Sequence, residues 1–310
     1  MAVEGTTEDH LVWEARQRRG AAIAAGLAAL FTFVGTIWRF TSLSGAPRAG
    51  FLGALDETVK PGPVGSQPSQ RLETLRFYDD NALNVLLSSF LTALGYLALG
   101  WALTYLAVAV RNRRPEFPKV LVYLPIVVAV LQALSTLMAT IATGRAVSDF
   151  LAGPKTVDAA HDIFTGGLTV FAQVLGVPGA LGLALVFVFI SLNAMRVGLL
   201  TRFMGVIGII SGVLLVIPLG GPLPIVQSFW LVMLAVLFMD RSPGGTPPAW
   251  KTGRAEPWPS SADVRAERQR AAAGQRGEPV EPEREPVGAG RATPEPSPAT
   301  SAAKRKRKRR

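Results

Sequence analysis

Along this chain, charged residues are missing from six long stretches and gathered between them. Residues 21–38, 82–110, 120–143, 163–195, 203–219 and 222–239 contain no Asp, Glu, Lys or Arg. The runs are about 17 to 33 residues long, and about 20 consecutive apolar residues cross the hydrocarbon core of a bilayer as an α-helix. The pattern predicts an all-α fold, a polytopic transmembrane helical bundle of six spans.

Two places depart from simple crossings. The fourth run is too long for one straight span, and Pro178 removes a backbone donor inside it, with Gly176, Gly179 and Gly182 close by. A kinked or broken helix is expected there. Residues 156–167, which carry Asp158, His161 and Asp162, are expected at the outer surface, before the chain enters the membrane. The fifth and sixth runs are joined by Gly220 and Gly221 beside Pro222 and are expected to form a tight hairpin. A re-entrant hairpin over 203–239 returns the chain to the same side and satisfies the charges equally well.

Positively charged short connections stay in the cytoplasm. Arg16, Arg18 and Arg19 precede the first span, and Arg111, Arg113, Arg114 and Lys119 fill the link between the second and third. Arg196 and Arg202 flank the link between the fourth and fifth, and a basic tail follows the sixth. All four groups fall on one side. On the other side Asp56, Glu57, Glu73, Asp79, Asp80, Asp149, Asp158 and Asp162 outnumber the basic residues. Both termini are therefore expected in the cytoplasm. Residues 1–19 read as a cytoplasmic amphipathic segment, 20–240 as the membrane domain with outer loops 41–81 and 144–162, and 241–310 as a cytoplasmic tail. Thr6 or Thr7 is expected to cap a short N-terminal helix, with Leu11, Val12 and Trp13 against the inner membrane surface.

Net charge of +10 suggests a polyanion binder until its distribution is considered. Residues 241–310 hold 16 basic and 8 acidic side chains, so the tail alone carries +8. Rich in Pro, Ala, Gly, Glu and Arg, with few large aliphatic residues, the tail is expected to be disordered. Trp250 and Trp258, flanked by prolines, are expected to rest at headgroup level or to dock on the inner loops. The terminal cluster Lys304, Arg305, Lys306, Arg307, Lys308, Arg309 and Arg310 suits anionic lipid of the inner leaflet, at about 1 kcal/mol per basic residue. Any other polyanion is a second reading, and nucleic acid lacks a structured reader here. The first apolar run reads as an uncleaved signal anchor, because it exceeds a usual signal-peptide core and Pro47 follows the small residues Ser44, Gly45 and Ala46. Twenty-five Arg against seven Lys, with abundant Ala and Gly, indicates a GC-rich bacterial source and hence the plasma membrane.

Small residues four apart allow close helix packing: Gly20, Ala24 and Ala28 in the first span, and Gly208 and Gly212 in the fifth. Contact within the bundle is the simpler expectation, a dimer interface the other. Polar uncharged residues inside the spans, among them Ser88, Ser89, Thr92, Ser135, Thr140 and Asn193, are explained by interhelical hydrogen bonds. A polar path along Gln132, Gln173 and the Pro178 break is the alternative. Asp79 and Asp80 are expected to cap the second span.

Little catalytic chemistry is written in the chain. No cysteine occurs, and the two histidines, His10 and His161, fall on opposite sides of the expected topology. No catalytic, cofactor-binding or metal-binding residue is assigned. Phosphate-cradling, zinc-protease and nucleophile-elbow motifs are all missing.

Residues 194–208, AMRVGLLTRFMGVIG, resemble a broad group of uncharacterised bacterial integral membrane proteins with about six spans, in which a short Arg-containing link leads into a Gly-rich span. The Pro248-Ala249-Trp250 and Glu256-Pro257-Trp258-Pro259 segments are similar to a tail seen in actinobacterial members. The resemblance implies location and fold, and no activity. Two functional expectations remain: a non-enzymatic membrane protein acting through an unidentified partner or anionic lipids, or a small-solute or lipid permease using the Pro178 break. A lipid-acting enzyme resting on His161 ranks third.

Overall fold

A computed structural model describes residues 6–47, 65, 68–216, 224–242, 245–256 and 265. Helix α1 spans Thr7–Leu43, α2 Leu72–Asp80, α3 Ala82–Arg113, α4 Val120–Ala152, α5 Val157–Thr165, α6 Gly167–Arg196, α7 Arg202–Val216, α8 Ile225–Phe238 and α9 Ala249–Thr252. Among the described residues the only β pairing is an isolated bridge between Pro68 and Thr156.

Four segments are long and apolar enough to cross a membrane: α1, α3, α4 and the Val157–Arg196 stretch that contains α5 and α6. Helices α7 and α8, at 15 and 14 residues, are apolar but reach only about 21–23 Å at 1.5 Å per residue. The outward surface is apolar as well. On α6, Phe171, Val174, Val177, Leu181 and Leu185 are all exposed. An exposed apolar stripe beside an apolar core is costly in water and suits lipid.

The six main helices form a closed ring in chain order. Helix α1 packs on α3, α3 on α4, α4 on α6, α6 on α7, α7 on α8, and α8 returns to α1. Neighbours along the chain run antiparallel: Gly35 of α1 meets Ser88 near the start of α3, while Tyr105 near the end of α3 bonds to Glu14 near the start of α1. The ring therefore has a tail end, which gathers residues 6–18, 105–117, 197–200, 237–242 and 245–256, and a far end.

The helix seams differ in detail from the sequence expectation. Gly20 is exposed and touches nothing, and Ala24 is only partly buried. The packed face of α1 lies one residue on, at Ala21, Ala25, Ala28, Thr32 and Gly35. The same alanine-rich run offers several four-residue registers, and the partner helix selects among them. Gly208 and Gly212 do face a neighbour, meeting Ser191 and the Ala184 carbonyl of α6 inside the bundle.

Of the kink or break expected at Pro178, the break is not there: helical structure continues through the proline. Proline removes one backbone bond from a long helix, and Gly176, Gly179 and Gly182 let that helix lie close against Ser135, Gln132 and Val128 of α4. The interruption falls earlier, at Gly166 (ψ 140°), and separates the short α5, capped by Thr156, from α6. Asp79 and Asp80 end α2 and do not cap α3: Asn81 occupies that position, and Asp79 accepts instead from Ser148.

At the N-terminus the cap is Thr6, in a reciprocal box. Asp9 Oδ2 accepts from the Thr6 amide at 2.8 Å, and Thr6 Oγ1 accepts from the Asp9 amide at 3.4 Å. These bonds hold the Asp9 carboxyl below its ordinary range. Beyond the cap, α1 runs for 37 residues without a break. Its first turns are continuous with the rest of α1 and form no separate helix.

Candidate functional site

The densest polar construction lies at the tail end. Helix α3 stops at Arg113 because Pro115 follows, which drives Arg114 out of helical geometry to φ −136°, ψ 88°. Arg113 thus sits in the last turn, where a cation complements the helix dipole. Its side chain turns into the bundle and meets Glu14 of α1. Nη1 donates to Oε1 at 2.7 Å and Nη2 to Oε2 at 2.9 Å, a two-pronged pair with side-chain exposures of 0% and 4%.

All five guanidinium N–H groups find acceptors. Nη1 also donates to the Ala109 carbonyl at 2.9 Å, while Nε and Nη2 donate to the Ala249 carbonyl at 3.0 and 2.7 Å. Glu14 further accepts from Asn112 Nδ2 at 3.1 Å, and its backbone carbonyl from the Tyr105 hydroxyl. A buried pair is tolerated only when its remaining hydrogen-bonding capacity is met in this way.

Ala249 belongs to the segment after α8, which the sequence assigns to a disordered tail beginning at 241. That boundary moves: residues 245–256 pack on the bundle. Pro248 preorganises the start of α9, and Gly253 (φ 69°) ends it in the left-handed conformation that suits glycine. Trp250 is 6% exposed. Its ring stacks near-parallel on Tyr105 at 6.0 Å and edge-on to Phe238 at 5.8 Å, and Trp13 stacks on the same tyrosine. The guanidinium carbons of Arg18 and Arg113 lie 5.4 and 5.3 Å from the Trp250 centroid, and the indole N–H donates to the Leu199 carbonyl at 2.9 Å.

Two further ties complete the join. The Glu256 amide donates to the Val197 carbonyl at 3.1 Å, beside Gly198 (φ 77°), where a Cβ would collide with the Glu256 carbonyl. Arg18 donates to the Leu237 carbonyl and lies 3.6 Å from Asp240. Trp250 therefore docks on the link after α6, one of the two placements expected for it. Trp258 lies outside the described residues, as do Lys304, Arg305, Lys306, Arg307, Lys308, Arg309 and Arg310.

The residues proposed for a polar path do not converge. Gln132 is half-buried against Gly179, whereas Gln173 and Pro178 occupy the exposed face of α6. His161 is exposed on α5 at the far end, and His10 lies near the start of α1. Among the described residues no three His, Cys, Asp or Glu side chains gather as metal ligands would. Polar groups within the spans mostly bond to their own helix, as Thr92, Thr136 and Asn193 do. Ser89 with Thr140, and Ser135 with the Ala172 carbonyl, cross between helices.

Sequence reasoning missed the Glu14–Arg113 pair. A usable signal existed: Glu14 lies seven residues before the first buried alanine of α1, and Arg113 follows Leu106 by seven in the antiparallel partner. Neither a protein-family model, nor a curated protein, nor a solved structure matches this chain.

Proposed function

We propose that the chain is a six-span protein of a bacterial plasma membrane, with both termini cytoplasmic, acting without catalysis through anionic lipid or a membrane-protein partner. Its bundle serves as a base from which the polybasic tail is presented. The carrying observation is the fastening of residues 245–256 to α1, α3 and the link after α6. A tail rooted by a buried ion pair starts at a fixed place and depth. The resemblance at 194–208 to six-span bacterial proteins and the clustering of basic links at the tail end support the same reading. Because Gln173 and Pro178 lie on the exposed face, the structure adds no support to a permease path.

Orientation is testable because the native chain has no cysteine. A membrane-impermeant maleimide applied to intact cells is expected to label Asp80→Cys and to spare Glu8→Cys and Glu116→Cys; labelling of Glu116→Cys from outside refutes the topology. For the mode of action, the protein is extracted in native lipid nanodiscs with and without residues 260–310, and co-isolating molecules are identified by mass spectrometry. Loss of a near-stoichiometric protein or of anionic lipid on deletion supports the reading. An unchanged inventory overturns it.

A further inference from the structure

The far end of the bundle holds a cavity of about 690 Å³ between the end of α1, the start of α2 and α5. Its described walls combine apolar Phe40, Leu43, Leu75 and Phe164 with two cations, Arg39 and Arg71. No described lining residue is acidic, although this end carries most of the described acidic residues outside the tail.

The hydroxyls in the wall are already engaged. Thr36 donates to the Thr32 carbonyl, Ser44 to Thr41, and Thr74 to Pro47. The arginines are engaged only in part. Arg39 uses Nη1 on Ser89 and Thr140, at 3.0 and 3.2 Å, which fixes the guanidinium while Nε and Nη2 have no acceptor among the described residues. Arg71 lies 5.6 Å from the Phe164 ring centroid, with no hydrogen bond from its guanidinium to a described residue. Two planar cations with spare donors, one pinned and one stacked, match the oxygens of a phosphate.

From this geometry we infer that the cavity binds a membrane phospholipid with an anionic headgroup, its phosphate between Arg39 and Arg71 and its acyl portion along Phe40, Leu43 and Phe164. The ligand reaches it from the bilayer, since Arg39 directly follows the apolar run that ends at Trp38 and Phe40 is exposed beside it. Interfacial aromatics mark headgroup depth. The inference rests on the membrane reading and is independent of the tail, which roots at the opposite end.

The full-length protein is placed in phosphatidylcholine nanodiscs doped with either photoactivatable phosphatidylglycerol or photoactivatable phosphatidylcholine, and the crosslinked peptides are mapped. Phosphatidylglycerol is expected to label residues 36–47 and 71–75 at least about tenfold more than phosphatidylcholine, which has the same phosphate but would bring its quaternary ammonium against the two arginines, a like-charge juxtaposition. Arg71→Gln is expected to reduce that labelling about tenfold. Leu43→Trp, which projects a larger ring among the apolar lining residues and keeps both cations, is expected to reduce it severalfold with unchanged elution of the folded protein. Equal labelling by both lipids, labelling untouched by both variants, or displacement by inorganic phosphate as effective as by a short-chain anionic lipid overturns the site. Labelling confined to the tail overturns it too, while leaving the proposed function standing.

Discussion

The two ends of this bundle handle arginine in opposite ways. At the tail end, Arg113 has an acceptor for each of its five N–H groups and is sealed from solvent. At the far end, Arg39 and Arg71 face a cavity with donors to spare. A fully satisfied buried cation holds structure together and has nothing left to offer a ligand. A cation fixed in place but incompletely satisfied is ready to bind. The contrast separates construction from recognition more clearly than residue type does.

The largest effect expected in breaking this contrast comes from Glu14→Ala. Removing one partner of a buried pair leaves the other charge stranded, at about 3–5 kcal/mol. A lowered midpoint of thermal unfolding in detergent, with rapid tryptic cleavage at Lys251 or Arg254, is the expected result. Trp250→Ala follows closely, at about 3 kcal/mol for a truncated buried indole. It should expose the same cleavage sites while the bundle persists. Gly198→Ala is next, at roughly 1–2 kcal/mol for the left-handed backbone, with a clash against Glu256 that loosens the tail root; amide exchange at Glu256 reports it. By contrast Arg71→Gln, at the far end, is expected to change stability by less than about 0.5 kcal/mol, read from the same melting curve. Equal destabilisation by Arg71→Gln and Glu14→Ala would erase the distinction between the ends.

The smallest effect concerns pH. Asp9 has a depressed pKa in the folded chain because the Thr6 amide and hydroxyl bond to its carboxylate. Its contribution to the helix cap is therefore complete above the ordinary carboxylate range and is lost as pH falls through its own lower value. The Thr6 amide, which donates to that carboxylate, should lose its protection relative to its intrinsic exchange rate there, and Asp9→Asn should remove that acid-induced step.

What was legible in the sequence follows from how local each signal is. A charge-free run of bilayer length reports on itself, so the long helices could be located without knowing their neighbours. The seam on α1 could not, because Gly20–Ala24–Ala28 and Ala21–Ala25–Ala28 are equally good stripes until α3 presents Gly95 to Thr32. Pro178 misleads in part for a related reason: the rule describes an isolated helix, whereas α6 is held against α4 on both sides of the proline, through Gly176, Gly179 and Gly182. The tail anchor was half legible. Proline-flanked tryptophan marks a docking segment, but its partners Arg113, Leu199 and Val197 lie far away in the chain.

That separation also sets an order of events during synthesis. Glu14 leaves the ribosome first, Arg113 follows 99 residues later, and the Ala249 carbonyl another 136 residues after that. At about 5–20 residues per second, Arg113 waits between roughly 7 and 27 s for its last acceptor. A chain that stalls or is cut within that interval keeps a buried guanidinium only partly bonded, so the newborn protein carries its own mark of incompleteness until translation passes residue 250.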